Sequence, residues 1–133
     1  MIVLDASAAV EWLLGRPGAA QVSAQIIDPD VSIHAPAILG VEVASALRGL
    51  ALGHHLSADR GALALADLAA ADIDLHDPTP LLPRAWKLRD NLSSYDAVYV
   101  ALAEVLGATL VTADARIARA SGVNCRVIVV AGP

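Results

Sequence analysis

Short apolar runs of strand length alternate along this chain with longer runs of helical length, and this alternation limits the folds open to it. The strand-like runs cover residues 2–5, 31–36, 72–76, 109–112 and 126–130. The helix-like runs cover residues 7–15, 18–27, 37–53, 58–71, 80–90, 95–107 and 115–121. Strands that alternate with helices predict an α/β fold with a mainly parallel central sheet flanked by helices on both faces.

The composition narrows the class of protein further. No linker, repeat or low-complexity segment divides the sequence, so we expect a single domain over residues 1–133. Hydrophobic residues make up 56% of the chain, an excess that suggests an apolar surface for a partner. Charged residues interrupt every long apolar run, so we predict no membrane span and a cytoplasmic protein. The net charge of −5 argues against a broad basic surface that coats nucleic acid.

Four acidic residues stand at the ends of apolar elements. Asp5 follows the first predicted strand, and Asp114 follows the predicted strand "TLVT" at 109–112. Because parallel strands have their carboxyl ends at the same edge of a sheet, we expect both aspartates at the edge where α/β sheets bind ligands. Glu42 lies one to two turns into a predicted helix, and Asp96 lies at the start of another.

Each of these acids also has a structural explanation. Asp5 and Asp114 can cap the helices that follow them, and "SSYD" can form a capping box from Ser93 to Asp96. Glu42 can be a partly exposed acid on a helix edge. Acids that cluster, however, repel one another unless a cation lies between them. The four acids together therefore favour a site for Mg²⁺ or Mn²⁺, because these cations prefer oxygen ligands and promote phosphodiester hydrolysis.

Several segments together resemble a known family. They are "IVLDASAAVEWLLGRPGA" at 2–19, "PAILGVEVASAL" at 36–47, "LSSYDAVYVALAEVLGATLVTAD" at 92–114 and "ARIARA" at 115–120. In this order, and over nearly the whole chain, the sequence resembles the PIN-domain ribonucleases of the VapC toxin type, from type II toxin–antitoxin systems. No single segment is specific for this family, but the combination of segments is.

The resemblance implies a single PIN-like domain and a metal-dependent endoribonuclease toxin that hydrolyses RNA phosphodiester bonds. The positions of the family's acidic, metal-binding cluster are held by Asp5, Glu42, Asp96 and Asp114, and those of its supporting hydroxyls by Ser7 and Thr112. The cofactor implied is Mg²⁺ or Mn²⁺, with in-line attack by water held on the metal and 5′-phosphate and 3′-hydroxyl products. The partners implied are a structured RNA substrate, a second copy in a homodimer and a cognate VapB-like antitoxin protein. Ser45 departs from the pattern, since family members often carry Asn one turn after the helical Glu.

Two pairs of basic residues are candidates for substrate phosphates. Arg84 and Lys87 are spaced three apart, as are Arg116 and Arg119, so each pair shares a helix face. A solvated helix surface explains each pair at least as well. The four histidines show no ligand spacing beside the acids, and two Trp and two Tyr residues are too few for a platform that stacks bases.

Two other functions remain open. One is a small-molecule phosphohydrolase, although "DAS" at 5–7 lacks the second acid of a D-x-D phosphatase signature. The other is a non-catalytic interaction domain with a residual acidic pocket. Metal-dependent cutting of a labelled RNA separates all three functions.

Overall fold

Five strands and seven α-helices follow one another in the computed structural model, which describes residues 1–130. The strands are β1 Ile2–Leu4, β2 Ile33–Pro36, β3 Ile73–His76, β4 Thr109–Thr112 and β5 Val127–Val129. The helices are α1 Ala6–Leu14, α2 Ala19–Ile26, α3 Leu39–Leu52, α4 Ala58–Ala70, α5 Leu82–Lys87, α6 Ser94–Leu106 and α7 Ala115–Arg119. The predicted α/β alternation is confirmed.

The five strands form one sheet in the order β3-β2-β1-β4-β5. Every pairing between neighbouring strands is parallel, as predicted. Leu4 at the end of β1 pairs with Val111 of β4, and the Asp5 N–H donates to the Val111 carbonyl at 3.1 Å. The carboxyl ends of β1 and β4 therefore share one edge of the sheet, and Asp5 and Asp114 follow these two adjacent ends.

The core is built around β1 and α6. All three residues of β1 are at most 5% exposed. Because successive strand residues point to opposite faces, both faces of the sheet are covered. Helix α6 is buried from Ala97 to Ala103 and packs against β1, β2 and β4. Within residues 1–130, no helix is long and apolar enough to cross a membrane.

Most element boundaries differ from the prediction by one or two residues, and two differences have a physical reason. Helix α3 begins at Leu39 rather than residue 37, because the Ala37 N–H still bonds the His76 carbonyl of the sheet at 2.8 Å. Glu42 therefore lies in the first turn of α3, not one to two turns in. The helix predicted over 80–90 is a 3₁₀ turn at Thr79–Leu81 followed by α5, since Pro80 and Pro83 lack the N–H groups of a continuous helix.

Candidate active site

Asp5 is the most buried of the four predicted acids, with 5% of its surface exposed. It caps α1, because its Oδ1 accepts a hydrogen bond from the Ala8 N–H at 2.9 Å. The Ser7 hydroxyl donates to the same oxygen at 2.7 Å, and the Thr112 hydroxyl donates to Oδ2. Both carboxylate oxygens are therefore held in place by neighbouring donors.

The hydroxyls of Ser7 and Thr112 join the start of α1 to the end of β4. Ser7 Oγ accepts from the Ala113 N–H at 2.9 Å, and Thr112 Oγ1 accepts from the Asp114 N–H at 3.0 Å. While Asp5 is ionised, both hydroxyl protons go to it, so the two hydroxyl oxygens touch at 3.2 Å without a proton between them. This network holds the backbone of Asp114 beside Asp5.

Glu42 is held by a tyrosine of the neighbouring helix. The Tyr99 hydroxyl of α6 donates to Glu42 Oε1 at 2.8 Å. Tyr99 is 2% exposed and lies one turn after Asp96, so these two residues share a face of α6. Burial and the Glu42 carboxylate raise the pKa of Tyr99 far above its usual value, so its phenol remains a donor at neutral pH.

Asp96 lies in the first turn of α6 and is half-buried. The cap of this helix is Ser93, whose Oγ accepts from the Asp96 N–H at 3.1 Å. Of the capping box that "SSYD" suggests, the Ser93 cap is therefore confirmed. An acid at this position also interacts favourably with the helix dipole, so Asp96 has a structural reason to be here beside any chemical one.

Asp114 caps the short helix α7 and is paired with Arg116. Its Oδ1 accepts from the Arg116 backbone N–H at 2.9 Å, and its Oδ2 accepts from Arg116 Nη2 at 2.7 Å. The Arg116 side chain is 80% exposed. Because the solvent screens such a pair, the bond holding the guanidinium to Asp114 is weak and can exchange for another anion.

All four acids line one pocket of about 590 Å³ at the carboxyl edge of the sheet. Its lining residues are Asp5, Ala6, Ser7, Val41, Glu42, Ser45, Ala46, Tyr95, Asp96, Tyr99 and Asp114. Val41 and Tyr95 are largely exposed, at 76% and 64%. The open pocket thus receives one carboxylate from each of four separate elements. These are the β1–α1 junction, α3, α6 and the β4–α7 junction.

The carboxylates of the pocket influence one another's protonation. Burial raises the pKa of Asp5, Glu42 and Asp96, while hydrogen bonds from neighbouring hydroxyls partly offset this rise. Repulsion adds to it: the charge of Asp96 acts on Asp5 and Glu42, and the charge of Asp114 acts on Asp96. Asp114 is the exception, since its hydrogen bonds with Arg116 lower its pKa.

The donor set of the pocket suits a hard divalent cation, because it consists of carboxylate and hydroxyl oxygens. The side chains are not arranged around a cation, however. Among residues 1–130, no three His, Cys, Asp or Glu side chains stand close enough together to hold a metal ion. The hydrogen bonds account for this, since Glu42 is turned to Tyr99 and Asp114 to Arg116.

The structure divides the predicted basic residues into two groups. None of the four lines the acidic pocket, and only Arg116 and Arg119 lie close to one of its acids. The Arg84 guanidinium binds both Glu104 oxygens, at 2.7 and 3.1 Å, and the Gly122 carbonyl at 2.7 Å. Arg116 and Arg119 lie beside the acids, and the charges of both lower the pKa of Asp114.

Tyr99 and Tyr95 line the pocket, and sequence reasoning assigned neither to it. The ring of Tyr99 lies in the core, but its hydroxyl reaches Glu42. The available signal was its spacing of three residues from Asp96, which places both on one helix face. The partner of that hydroxyl could not be inferred, because it depends on how α3 packs against α6.

The comparisons with known proteins agree with this architecture. The PIN domain family matches residues 2–123. This chain belongs to the PIN-domain family. The PIN domain is 41% identical to Ribonuclease VapC9 of Mycobacterium tuberculosis over 130 residues, covering 98% of each chain. It is 37% identical to Ribonuclease VapC12 of the same organism over 131 residues, covering 98% of this chain and 100% of that one. These identities place it in the VapC group, as its motifs predicted.

Among solved structures, this PIN domain is similar to a chain in the crystal structure of VapBC2 from Rickettsia felis bound to a DNA fragment from their promoter. The TM-score is 0.70 at 14% sequence identity, and the match covers 98% of this chain and 100% of that one. At this identity the similarity establishes the fold alone.

Proposed function

We propose that this PIN domain is a metal-dependent endoribonuclease toxin that hydrolyses RNA phosphodiester bonds. The observation that carries the proposal is the meeting of four carboxylates from four elements in one open pocket. The VapC ribonucleases that match nearly the whole chain support RNA as the substrate. We also propose the cytoplasm, where RNA is available, as its location.

The proposed cofactor is Mg²⁺ or Mn²⁺, held by Asp5, Glu42, Asp96 and Asp114. Such a cation activates water as a nucleophile and stabilises the leaving oxygen of a phosphodiester. Burial, with a smaller contribution from mutual repulsion, raises the pKa of three of the four carboxylates, and a cation in this pocket would offset both effects. Because no three ligands stand together, Glu42 and Asp114 have to rotate away from Tyr99 and Arg116 to complete the site.

Other contacts of the site position its carboxylates. Asp5 provides a fixed carboxylate, since Ser7, Thr112 and the Ala8 N–H hold both of its oxygens. Tyr99 keeps Glu42 within the pocket by donating to one of its oxygens. The contacts of Asp5 fix its carboxylate before RNA arrives, which reduces the reorganisation that catalysis requires, whereas Glu42 leaves Tyr99 when the cation binds.

We propose that Arg116 and Arg119 bind the phosphates that flank the scissile bond. Both are exposed and close enough to Asp114 to lower its pKa. A phosphate that draws Arg116 away also frees Asp114 to turn into the pocket. For Arg84 and Lys87 the same role has less support, because Arg84 is bound to Glu104 and Gly122. In-line hydrolysis would leave 5′-phosphate and 3′-hydroxyl ends.

The proposed partners are a cognate VapB-like antitoxin and a second copy of this chain. Large apolar side chains remain exposed on the surface, including Ile27 at 83%, Val41 at 76%, Val105 at 72% and Trp86 at 67%. Exposed apolar area of this kind marks surfaces that associate. Light scattering on the purified chain should give twice the 13.6 kDa of one chain, and a mass of 13.6 kDa would exclude the homodimer.

One observation favours a second candidate, a non-catalytic interaction domain with an acidic pocket. This observation is that no three potential ligands stand together among residues 1–130. In that case the four acids would be helix caps and surface acids that happen to share a pocket. A small-molecule phosphohydrolase has no such support, because "DAS" at 5–7 lacks the second acid.

The experiment that tests the proposal is mapping of RNA 5′ ends in cells after brief induction of this chain. The matched control is Asp5→Asn, because asparagine also caps helices well and so preserves the start of α1. We expect new 5′-phosphate ends at a reproducible site with the unchanged chain only. Identical end maps for both proteins would exclude ribonuclease activity at this pocket.

A further inference from the structure

A second polar pocket, of about 560 Å³, lies at the opposite ends of α1 and α3 from the acidic pocket. Its lining residues are Leu14, Arg16, Leu50, His55, Leu56 and Arg60. No carboxylate is among them, although the chain carries a net charge of −5. Leu50 follows Ala46, the last α3 residue of the acidic pocket, by four residues, which separates the two pockets by roughly 6 Å along the helix.

Arg60 has an unused donor in this pocket. Its Nη2 donates to the Leu13 carbonyl at 2.7 Å, at the end of α1. Its Nη1 is buried and has no hydrogen-bond partner in the described part of the chain. A buried donor without an acceptor costs free energy, so such a group usually binds a water molecule or an ion. An anion in the pocket would provide that acceptor once the Arg60 guanidinium turns toward it.

The turn between α3 and α4 brings His55 to the same pocket. His54 adopts a left-handed backbone conformation, with φ at 60°, which is uncommon for a residue other than glycine. The next residue, His55, bonds the Leu50 carbonyl through its backbone N–H at 2.8 Å. Its ring lies so close to Gly53 that a Cβ there would approach His55 Cδ2 to 3.1 Å. These two contacts fix the position of His55 in the wall of the pocket.

Arg16 supplies the second guanidinium. Its Nε lies 3.6 Å from Glu11 Oε2, and its side chain is 46% exposed. The contact is too long for a hydrogen bond, and Glu11 Oε2 has none in the described residues. Arg16 is therefore loosely held and can turn to a stronger acceptor, while Glu11 itself does not line the pocket.

We propose that this second pocket binds the phosphoryl group of a phosphorylated small molecule. Two guanidiniums and an imidazole match the oxygens of a phosphoryl group, which arginine binds through parallel hydrogen bonds. Leu14, Leu50 and Leu56 provide apolar walls for the rest of the ligand. A volume of about 560 Å³ lies in the range of small-molecule sites and has room for a nucleotide.

The test is calorimetric titration of ADP, pyrophosphate and adenosine into the purified chain, in buffer freed of metal on a chelating resin. Without metal, the acidic pocket repels these anions, and the two pocket variants below distinguish binding here from binding at Arg116 and Arg119. We expect ADP and pyrophosphate to bind and adenosine to bind far more weakly. Arg60→Gln and Arg16→Gln should each raise Kd by about tenfold, the value of a charge-assisted hydrogen bond. Arg48→Gln removes an exposed arginine outside the pocket and should leave Kd unchanged.

The second variant keeps the test valid if Arg60→Gln unfolds through loss of the bond to Leu13, because Arg16 is partly exposed. Absence of binding by ADP and pyrophosphate at millimolar concentration would overturn the proposal. Equal binding by the unchanged chain and both pocket variants would do the same. A short oligoribonucleotide is the last ligand. If the unchanged chain binds it but not ADP, and Arg16→Gln no longer binds it, the assignment to a small molecule is overturned. None of these outcomes depends on ribonuclease activity.

Discussion

At the scale of single residues, the four acids of the pocket have two kinds of environment. Burial and mutual repulsion raise the pKa of Asp5, Glu42 and Asp96, whereas Arg116 lowers that of Asp114. A carboxyl whose pKa is raised by folding holds a proton that the unfolded chain releases. The free energy of unfolding of the metal-free protein should therefore fall as pH rises from the ordinary carboxyl pKa through the raised values.

Asp96→Asn tests whether repulsion or helix capping dominates at this residue. If repulsion dominates, the metal-free variant should be as stable as the unchanged chain at pH 7, or more stable. If the charge serves the helix dipole, its loss should cost about 0.3–1 kcal/mol. Urea unfolding in EDTA measures the difference. Asp59→Asn, in the first turn of α4 and outside the acidic pocket, is the control and should be slightly destabilised.

Thr112→Val removes the hydroxyl that donates to Asp5 while preserving the shape of the side chain. The pKa of Asp5 should rise further, because this hydrogen bond is the largest influence that lowers it. The Asp114 N–H also loses its acceptor, which should cost about 1–3 kcal/mol of stability. We expect the acidic limb of the pH–rate profile for RNA cleavage to move to higher pH, with recovery in Thr112→Ser. An unchanged profile would mean that Asp5 ionisation does not limit cleavage.

At the scale of elements, the sequence predicts the positions of strands and helices well because each has a clear apolar period and a clear stop. Gly15 ends α1 with φ at 63°, a conformation that glycine adopts without strain. Asp5 and Asp114 could be placed together because they follow adjacent parallel strands. Contacts between side chains of different helices could not be predicted from the sequence. The Tyr99–Glu42 and Arg84–Glu104 hydrogen bonds are two such contacts.

Arg84→Gln tests the contact that ties α5 to α6. Burial raises the pKa of Glu104, but the bonds from Arg84 and from the Asn124 N–H more than offset this and keep it below its usual value. This stabilisation is present above the unfolded pKa of Glu104 and is lost as pH falls through the folded value. The variant should be less stable at pH 7 in urea unfolding and should cut RNA normally once folded. A stable variant that cuts RNA poorly would instead indicate contact with substrate.

At the scale of the whole molecule, a bound cation should stabilise the fold, because the acidic pocket draws on four elements that are apart in the unfolded chain. An ion at a hundredfold excess over its Kd adds about 2.7 kcal/mol to the free energy of unfolding. We expect Mg²⁺ to raise the Tm of the unchanged chain and to raise that of Asp96→Asn much less. Equal shifts for both proteins would place the ion elsewhere.

Cleavage of RNA at the acidic pocket with a divalent cation can be measured directly. The most direct measurement is cleavage of an end-labelled RNA by the purified chain and by Asp5→Asn prepared identically, each with Mg²⁺, with Mn²⁺ and with excess EDTA. Cleavage by the unchanged chain with either metal, and by neither protein in EDTA, is the expected result. Undiminished cleavage in EDTA, or equal cleavage by Asp5→Asn, would contradict the claim.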